Sequence, residues 1–185
     1  SDYILEHLSA EGTLMDIGQN DLKLMSVPID FFGLNVYNRV PVSVNVKAQA
    51  DFSQGGNFLN NRTEYYPQAL YEAVVLLHKL YDIKVPIYIT ENGTYFEGEE
   101  PVGKAGIVDD ADRIRYISGF LDSLKKAISE GYDIRGYYLW SLMDNFEWSA
   151  GFNFKFGITQ CDRETLELKP KKSAYFYRDY IKSAK

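Results

Sequence analysis

A glutamate lies at the end of an apolar segment near the middle of the chain. Residues 85–90 read Val-Pro-Ile-Tyr-Ile-Thr, and they are followed by Glu91 and an Asn-Gly pair. A short apolar run between a proline and a turn-forming pair predicts a buried strand that ends abruptly. In parallel α/β folds, catalytic and ligand-binding groups stand at the C-terminal ends of the strands. Glu91 is therefore the first candidate catalytic residue.

Both tryptophans of the chain flank a second acidic residue. Residues 140–148 read Trp-Ser-Leu-Met-Asp-Asn-Phe-Glu-Trp, so that Glu147 lies between Trp140 and Trp148. An aromatic ring offers a flat apolar surface for one face of a sugar, and the indole adds a donor. A carboxylate accepts charge-assisted hydrogen bonds from adjacent hydroxyls. Aromatic packing at a helix start is the alternative, but a charge among aromatics is costly to bury.

The composition limits the classes of function. The chain has 185 residues with 15% aromatic side chains, which favours a folded domain over a disordered segment. Its net charge of −6 disfavours nucleic acid and anionic membranes as partners. The sequence contains no run of about 18 apolar residues, so no membrane span is predicted. Nucleic acid and membranes are therefore not expected as partners.

The cysteine and histidine content argues against metals and disulfides. Cys161 is the single cysteine, and His7 and His78 are far apart without metal-ligand spacing. We therefore predict no metal site, and no cofactor is expected. A lone cysteine is mildly consistent with a reducing compartment, so a cytoplasmic location is expected. A secretion signal would lie outside this chain.

The hydrophobic pattern predicts a strand, a loop and a helix, repeated three times. Strands alternating with helices are typical of a parallel sheet covered by helices. The long segments after the strands are expected to be loops, which in compact domains are usually functional or disordered. Predicted strands cover residues 29–34, 85–90 and 134–140; helices cover 2–8, 20–26, 67–81, 109–130 and 170–182; loops cover 39–66, 94–106 and 141–169, with a short strand at 157–160.

Residues 89–93 (Ile-Thr-Glu-Asn-Gly) and 140–148, in this order, resemble the nucleophile and sugar-binding motifs of the retaining β-glycosidases of glycoside hydrolase family 1. The resemblance covers nearly the whole chain. It implies an α/β fold, the C-terminal portion of a (β/α)8 TIM barrel with about three βα units. The barrel is incomplete as given, since a full one needs eight strands and about 250 residues. Residues 1–185 are expected to be a single segment of that barrel domain.

The resemblance also implies roles for individual residues. It makes Glu91 the nucleophile of retaining β-glucoside hydrolysis, which proceeds through a covalent glycosyl-enzyme intermediate. Tyr37 matches the tyrosine that hydrogen-bonds the nucleophile. The positions implied to bind the substrate, a β-linked glucoside or oligosaccharide, are Asn35, Trp140, Glu147, Trp148 and Phe156.

One required part is missing from the sequence. The acid/base of the resembled family is the glutamate of an Asn-Glu-Pro motif, and this chain has no Asn-Glu-Pro. The expectation is that the acid/base lies in an N-terminal half of the same barrel, which would be a partner of this chain. The alternative is a catalytically inactive sugar-binding or assembly fragment. Glu147 would repel a phosphate, so an unphosphorylated glycoside is favoured, while glucoside, galactoside and fucoside stay open.

Overall fold

A computed structural model describes residues 10, 12, 18–39, 59, 63–103 and 106–184 of the chain. The chain divides into two units, residues 1–30 and 31–185. The first contains helix α1 (Gln19–Met25), close to the helix predicted at 20–26. The helix predicted at 2–8 lies outside the described residues. The assignment of 1–185 to a single segment stays a prediction.

The second unit has the predicted alternation of strands and helices. Three strands, β1 (Phe32–Asn35), β2 (Ile87–Asn92) and β4 (Ile134–Leu139), form a parallel sheet in the order β1-β2-β4. Among the described residues, β1 and β4 each have one neighbour in this sheet. The elements in chain order are β1 (Phe32–Asn35), α2 (Gln68–Tyr81), β2 (Ile87–Asn92), β3 (Phe96–Glu97), α3 (Ala111–Ser129), β4 (Ile134–Leu139), a 3₁₀ turn (Trp148–Ala150), β5 (Phe154–Lys155), β6 (Thr159–Cys161), β7 (Leu168–Pro170) and α4 (Lys172–Ser183).

The strand ends differ from the prediction in a way that matters for the site. Strand β2 was predicted to end at residue 90, but Glu91 and Asn92 still belong to it. The neighbouring strands continue to supply partners there, because the Val36 N–H donates to the Glu91 carbonyl at 3.1 Å and the Trp140 N–H donates to the Asn92 carbonyl at 2.9 Å. Glu91 is thus held by the ladder of the sheet.

Two predicted loops contain short strands. Strands β3 and β5 pair antiparallel, and so do β6 and β7. Each has only two or three residues, which is too few for an alternating pattern to stand out in the sequence. The strand predicted at 157–160 is observed as β6, two residues later at its start.

The core lies between one face of the sheet and the helices. Ile87 and Ile89 of β2 are fully buried with residues of α2 and α3. Leu80 and Ile128, which lie near the C-terminal ends of α2 and α3, are exposed. The face of the sheet turned away from this core exposes aromatic rings, including Phe31 and Tyr138. No helix in the described part of the chain is long and apolar enough to cross a membrane.

Candidate active site

Glu91 and Tyr37 meet at the C-terminal edge of the parallel sheet. Strand β1 leads into Tyr37, and β2 ends one residue after Glu91, so the parallel pairing brings the two side chains together. The Tyr37 hydroxyl donates a hydrogen bond to Oε2 of Glu91 at 2.8 Å. Partial burial raises the pKa of Tyr37 far above its ordinary value, and the bond to the Glu91 carboxylate adds to the rise. Tyr37 therefore stays a proton donor at neutral pH.

A buried asparagine fixes the backbone on both sides of this pair. Asn92 is fully buried, and its Nδ2 donates to the Val36 carbonyl at 2.6 Å and to the Tyr116 hydroxyl at 3.0 Å. Its Oδ1 accepts a bond from the Tyr137 hydroxyl at 2.6 Å. The Tyr116 hydroxyl donates in turn to the Tyr37 carbonyl at 2.6 Å. Three of Asn92's hydrogen-bonding sites are thus used to tie β1, β2, α3 and β4 together at one point.

A cleft of about 450 Å³ opens beside Glu91. It brings together six of the seven residues predicted for the site, namely Tyr37, Glu91, Trp140, Glu147, Trp148 and Phe156. Asn35 is not part of the described lining. It lies in β1, where its Oδ1 accepts a hydrogen bond from the Thr90 hydroxyl at 2.6 Å. The specific roles of all seven residues stay predictions.

The two sequence motifs are packed backbone against backbone. A Cβ added to Gly93 would lie 1.8 Å from the Trp140 carbonyl oxygen, so only glycine fits at this position. The Trp140–Ser141 peptide bond is cis. The chain just after Glu91 therefore touches the start of the segment that carries Glu147.

Glu147 is oriented by its neighbours in the 140–148 segment. Nδ2 of Asn145 donates to Oε2 of Glu147 at 2.8 Å. The Ser141 hydroxyl is within hydrogen-bonding distance of Oδ1 of Asn145, at 3.2 Å, which accounts for the orientation of that amide. The Glu147 N–H donates to the Gly151 carbonyl at 2.6 Å. Trp148, by contrast, is 84% exposed and has a positive φ of 44°.

Aromatic rings form one wall of the cleft. Phe156 lies edge-on to Tyr37, with ring centroids 6.3 Å apart, and 5.2 Å from Tyr95. Tyr95 stacks on Phe154 at 4.1 Å. The sequence reasoning missed Tyr95, although its place four residues after Glu91 was an available signal. It also missed other lining residues, which are Asn38, Thr63, Gly93 and Thr94.

The ionisable side chains of the cleft lining are acidic, and its remaining side chains are neutral. Among the described residues that line the cleft, the carboxylates are Glu91 and Glu147, and none is Lys or Arg. In the part of the chain that the structure describes, no group of three or more His, Cys, Asp or Glu side chains is arranged to hold a metal ion. The arrangement suits a polar, uncharged ligand that stacks on aromatic rings and donates hydrogen bonds to carboxylates.

The sequence model of glycosyl hydrolase family 1 matches residues 1–185, and the chain belongs to this family. It is 37% identical over 179 residues to β-glucosidase A of Acetivibrio thermocellus, covering 94% of this chain and 39% of that protein. It is 32% identical over 201 residues to a 6-phospho-β-galactosidase of Staphylococcus haemolyticus, covering 95% of this chain and 43% of the relative.

The same relationship appears in the fold. The structure is similar to that of a β-glucosidase from Thermotoga maritima in complex with castanospermine, with a TM-score of 0.85 and 30% identity, covering 98% of this chain and 40% of that one. The chain thus spans about two fifths of the length of its relatives. Its three parallel βα units are the C-terminal portion of a (β/α)8 TIM barrel, as the sequence predicted.

Proposed function

We propose that this chain supplies the nucleophile and the glycone-binding residues of a retaining β-glucosidase, the glycone being the sugar ring that the nucleophile attacks. The proposal rests on one observation: Glu91, with Tyr37 donating to its Oε2, faces a cleft shared with Trp140 and Glu147. A carboxylate at a strand end beside an aromatic surface and a second carboxylate has the parts that sugar binding and attack require.

In the proposed reaction, Oε1 of Glu91, the oxygen that Tyr37 does not contact, attacks the anomeric carbon. A bond forms between that oxygen and the carbon while the bond to the leaving-group oxygen breaks, which gives a glycosyl-enzyme ester. Tyr37 holds Oε2 through its hydrogen bond, so Oε1 is left for attack. Water then cleaves the ester and regenerates the Glu91 carboxylate.

The leaving-group oxygen needs a proton from a second carboxyl group. Retaining enzymes place this acid/base about 5–5.5 Å from the nucleophile. We infer that it comes from outside these 185 residues, because the sequence has no Asn-Glu-Pro motif and Glu147 is proposed to bind sugar hydroxyls. An N-terminal half of the barrel is the proposed partner, and the exposed aromatics Phe31 and Tyr138 on the sheet support it as surface for that half to cover.

The proposed substrate is an unphosphorylated β-glucoside or β-linked oligosaccharide. A phosphate group needs cationic partners, and the described lining offers the Glu91 and Glu147 carboxylates without Lys or Arg. Although a 6-phospho-β-galactosidase is among the relatives, this charge distribution favours the neutral sugar. We expect castanospermine to bind the chain and glucose 6-phosphate to compete with it more weakly than glucose does. The cytoplasmic location stays a prediction.

The test is the intact mass of the chain after incubation with a 2-deoxy-2-fluoro-β-glucoside that carries a dinitrophenyl leaving group. This leaving group departs without a proton from an acid, so the experiment isolates the nucleophile from the missing acid/base. We expect one adduct that maps to the peptide containing Glu91. Glu91→Gln should abolish it, and Glu97→Gln, a matched change at an exposed position, should leave it unchanged.

No adduct on a chain shown to be folded, or an adduct on another carboxylate, would overturn the proposal that this chain alone forms the attacking site. The unmodified chain should not hydrolyse cellobiose detectably, because protonation of the leaving group contributes about 10²–10⁴-fold to the rate. Clear turnover of cellobiose would place an acid/base within these residues.

A catalytically inactive sugar-binding or assembly fragment is the second candidate. It is favoured by the described cleft lining, in which no carboxylate is left for the acid/base once Glu91 and Glu147 have the proposed roles. It predicts castanospermine binding that survives Glu91→Gln and is lost in Trp140→Ala, without any covalent adduct. An assembly fragment without ligand predicts self-association that glucose does not change, measured by light scattering.

A further inference from the structure

A row of five charged side chains is buried beneath the cleft. Two are cations and three are anions, and each of these side chains is at most 10% exposed. They come from the segment after β3, the start of α3, the segment after β4 and the residue before α4. We call them the buried charge row; its members are Glu100, Asp110, Arg113, Asp144 and Lys171.

Glu100 joins the two cations of the row. Its Oε2 lies 2.6 Å from Nζ of Lys171, and its Oε1 lies 3.0 Å from Nη2 of Arg113. Lys171 is fully buried and also contacts Oδ1 of Asp144 at 2.8 Å. Arg113 pairs with Asp110, whose carboxylate in turn accepts a bond from the Ser173 N–H at 2.9 Å. Every charge in the row thus has an opposite charge beside it.

The two ends of the row reach the two sides of the cleft. Asp144 belongs to the 140–148 segment, three residues before Glu147, and its Oδ1 also accepts a bond from the Gly157 N–H at 3.0 Å. At the other end, Nε of Arg113 donates to the carbonyl of Thr94, a cleft residue three positions after Glu91, at 3.4 Å. The row therefore spans from the chain beside the candidate nucleophile to the segment that carries Glu147.

The backbone around Asp144 packs closely against the backbone around Gly157. A Cβ added to Gly157 would lie 2.2 Å from the Asp144 nitrogen and 2.3 Å from the Met143 carbonyl carbon. The Asp144 N–H also donates to the Thr159 carbonyl at 3.0 Å. The backbone around Asp144 thus has little room to move while the Lys171 contact is intact.

Burial of ion pairs is a poor source of stability, because the desolvation cost often exceeds the attraction, and apolar side chains of the same volume stabilise as well. What a buried pair does provide is a fixed distance and direction. We propose that Lys171 and Asp144 are positioning residues that set where the 140–148 segment, with Trp140 and Glu147, stands relative to Glu91. This inference rests on the proposed function, in which Trp140 and Glu147 bind the sugar that Glu91 attacks.

The first variant is Asp144→Asn, which keeps the shape and an acceptor for the Gly157 N–H but removes the charge that Lys171 pairs with. In covalent labelling by the fluoroglucoside we expect the concentration for half-maximal labelling rate to rise about tenfold or more. The maximal labelling rate should stay as in the unmodified chain, because Glu91 and Tyr37 are untouched. A purely structural role would lower the fraction of labelled chain and change neither quantity.

The matched control is Lys172→Met. Lys172 is the next residue along the chain and forms an exposed pair with Asp109 at 2.6 Å, outside the buried charge row. We expect this variant to keep both labelling quantities. Lys171→Arg is the second variant, since it keeps the cation and avoids an unpaired buried carboxylate, yet it changes the geometry of the contact. It should raise the half-maximal concentration in the same way.

A spectroscopic measurement tests the inference without any chemistry. Trp140 and Trp148 are the two tryptophans of the chain, so ¹⁹F NMR of protein labelled with 5-fluorotryptophan reports on this segment alone. We expect Asp144→Asn and Lys171→Arg to shift or broaden these resonances and Lys172→Met to leave them unchanged. Resonances that stay in place in both folded variants would overturn the positioning role. If the fluoroglucoside forms no adduct with the wild-type chain but the resonances of the variants do shift, the result counts against the proposed function and not against the positioning role.

Discussion

The two sides of the cleft are held mainly by different kinds of contact. On the Glu91 side, the backbone is fixed by neutral hydrogen bonds to Asn92, a fully buried residue inside a parallel sheet. On the side of the 140–148 segment, the anchor is the charged contact between Asp144 and Lys171, and the segment ends in Trp148, which is 84% exposed.

This difference places the two proposed tasks, attack on the sugar and recognition of it, on opposite sides of the cleft. The carboxylate proposed to attack, that of Glu91, takes its position from strand pairing within the parallel sheet. The side chains proposed to bind the sugar lie in a loop whose Asp144 contacts Lys171, 27 positions further along the chain. Changes on the Glu91 side should therefore affect stability and the rate of attack, and changes in the 140–148 segment should affect affinity.

The largest effect is expected at the point where the two sides touch. Gly93→Ala would place a Cβ 1.8 Å from the Trp140 carbonyl oxygen, which is backbone and cannot rotate away. We expect the free energy of unfolding, measured by urea denaturation, to fall by more than about 3 kcal/mol. Gly33→Ala is the control, since its Cβ would meet only side-chain atoms, those of Thr90 at 3.2 Å and of Phe31 at 4.0 Å. Equal losses in the two variants would show that the two motifs do not press on each other.

The second-largest loss of stability is expected at Asn92, on the Glu91 side of the cleft, where the contacts are neutral hydrogen bonds. Asn92→Ala leaves the Tyr137 hydroxyl and the Val36 carbonyl without their partner in a buried place. Each unsatisfied buried group costs about 1–3 kcal/mol, so we expect a loss of about 2–3 kcal/mol together with slower labelling of Glu91. Thr90→Ala, at the exposed neighbouring position, should cost less than about 1 kcal/mol. A stable Asn92→Ala variant with normal labelling would show that Asn92 does not position Glu91.

Alkaline pH should lower the free energy of unfolding through buried tyrosines on the Glu91 side of the cleft. Burial raises the pKa values of Tyr37, Tyr116 and Tyr137 well above the ordinary value of 10. Above about pH 10 the unfolded chain loses these protons while the folded chain keeps them, so the unfolded state binds fewer protons and stability falls as pH rises. The slope is up to about 1.4 kcal/mol per pH unit for a fully buried phenol, and stability below pH 10 is unaffected.

The measurement is the free energy of unfolding between pH 8 and about pH 11, alongside ultraviolet titration of tyrosinate. Tyr116→Phe should make the alkaline loss of stability shallower, and several of the 15 tyrosines should resist ionisation in the folded chain. Ionisation of all of them near pH 10 in a folded chain would contradict the burial of these hydroxyls.

The smallest effect on stability is expected at the rim of the 140–148 segment. Trp148→Ala should change the free energy of unfolding by less than about 0.5 kcal/mol, because the ring is exposed. It should nevertheless weaken castanospermine binding, measured by titration calorimetry, if Trp148 contacts the sugar. Leu166→Ala is a matched control, since Leu166 is also exposed, at 73%, and also has a positive φ, of 59°. Unchanged affinity in Trp148→Ala would limit recognition to Trp140 and Glu147.

Much of the fold followed from local patterns. The apolar run before Glu91 and the position of the last helix, predicted at 170–182 and observed at Lys172–Ser183, are properties of short segments, so both were visible in the sequence. The exceptions have a physical cause: β2 extends to Asn92 because β1 and β4 offer hydrogen-bond partners there, and partners from distant strands leave no trace in a local pattern.

The sequence by itself determined the family, the three parallel βα units and six of the side chains that meet in the cleft, because the motifs at residues 89–93 and 140–148 carry the resemblance to that family. Only the tertiary structure decided that Asn92 and Tyr116 support Tyr37, that Asn35 points to Thr90, and that Lys171 seats Asp144. These are contacts between residues up to 79 positions apart. Their partners are chosen by packing and by the need to pair buried polar groups, which no single segment specifies.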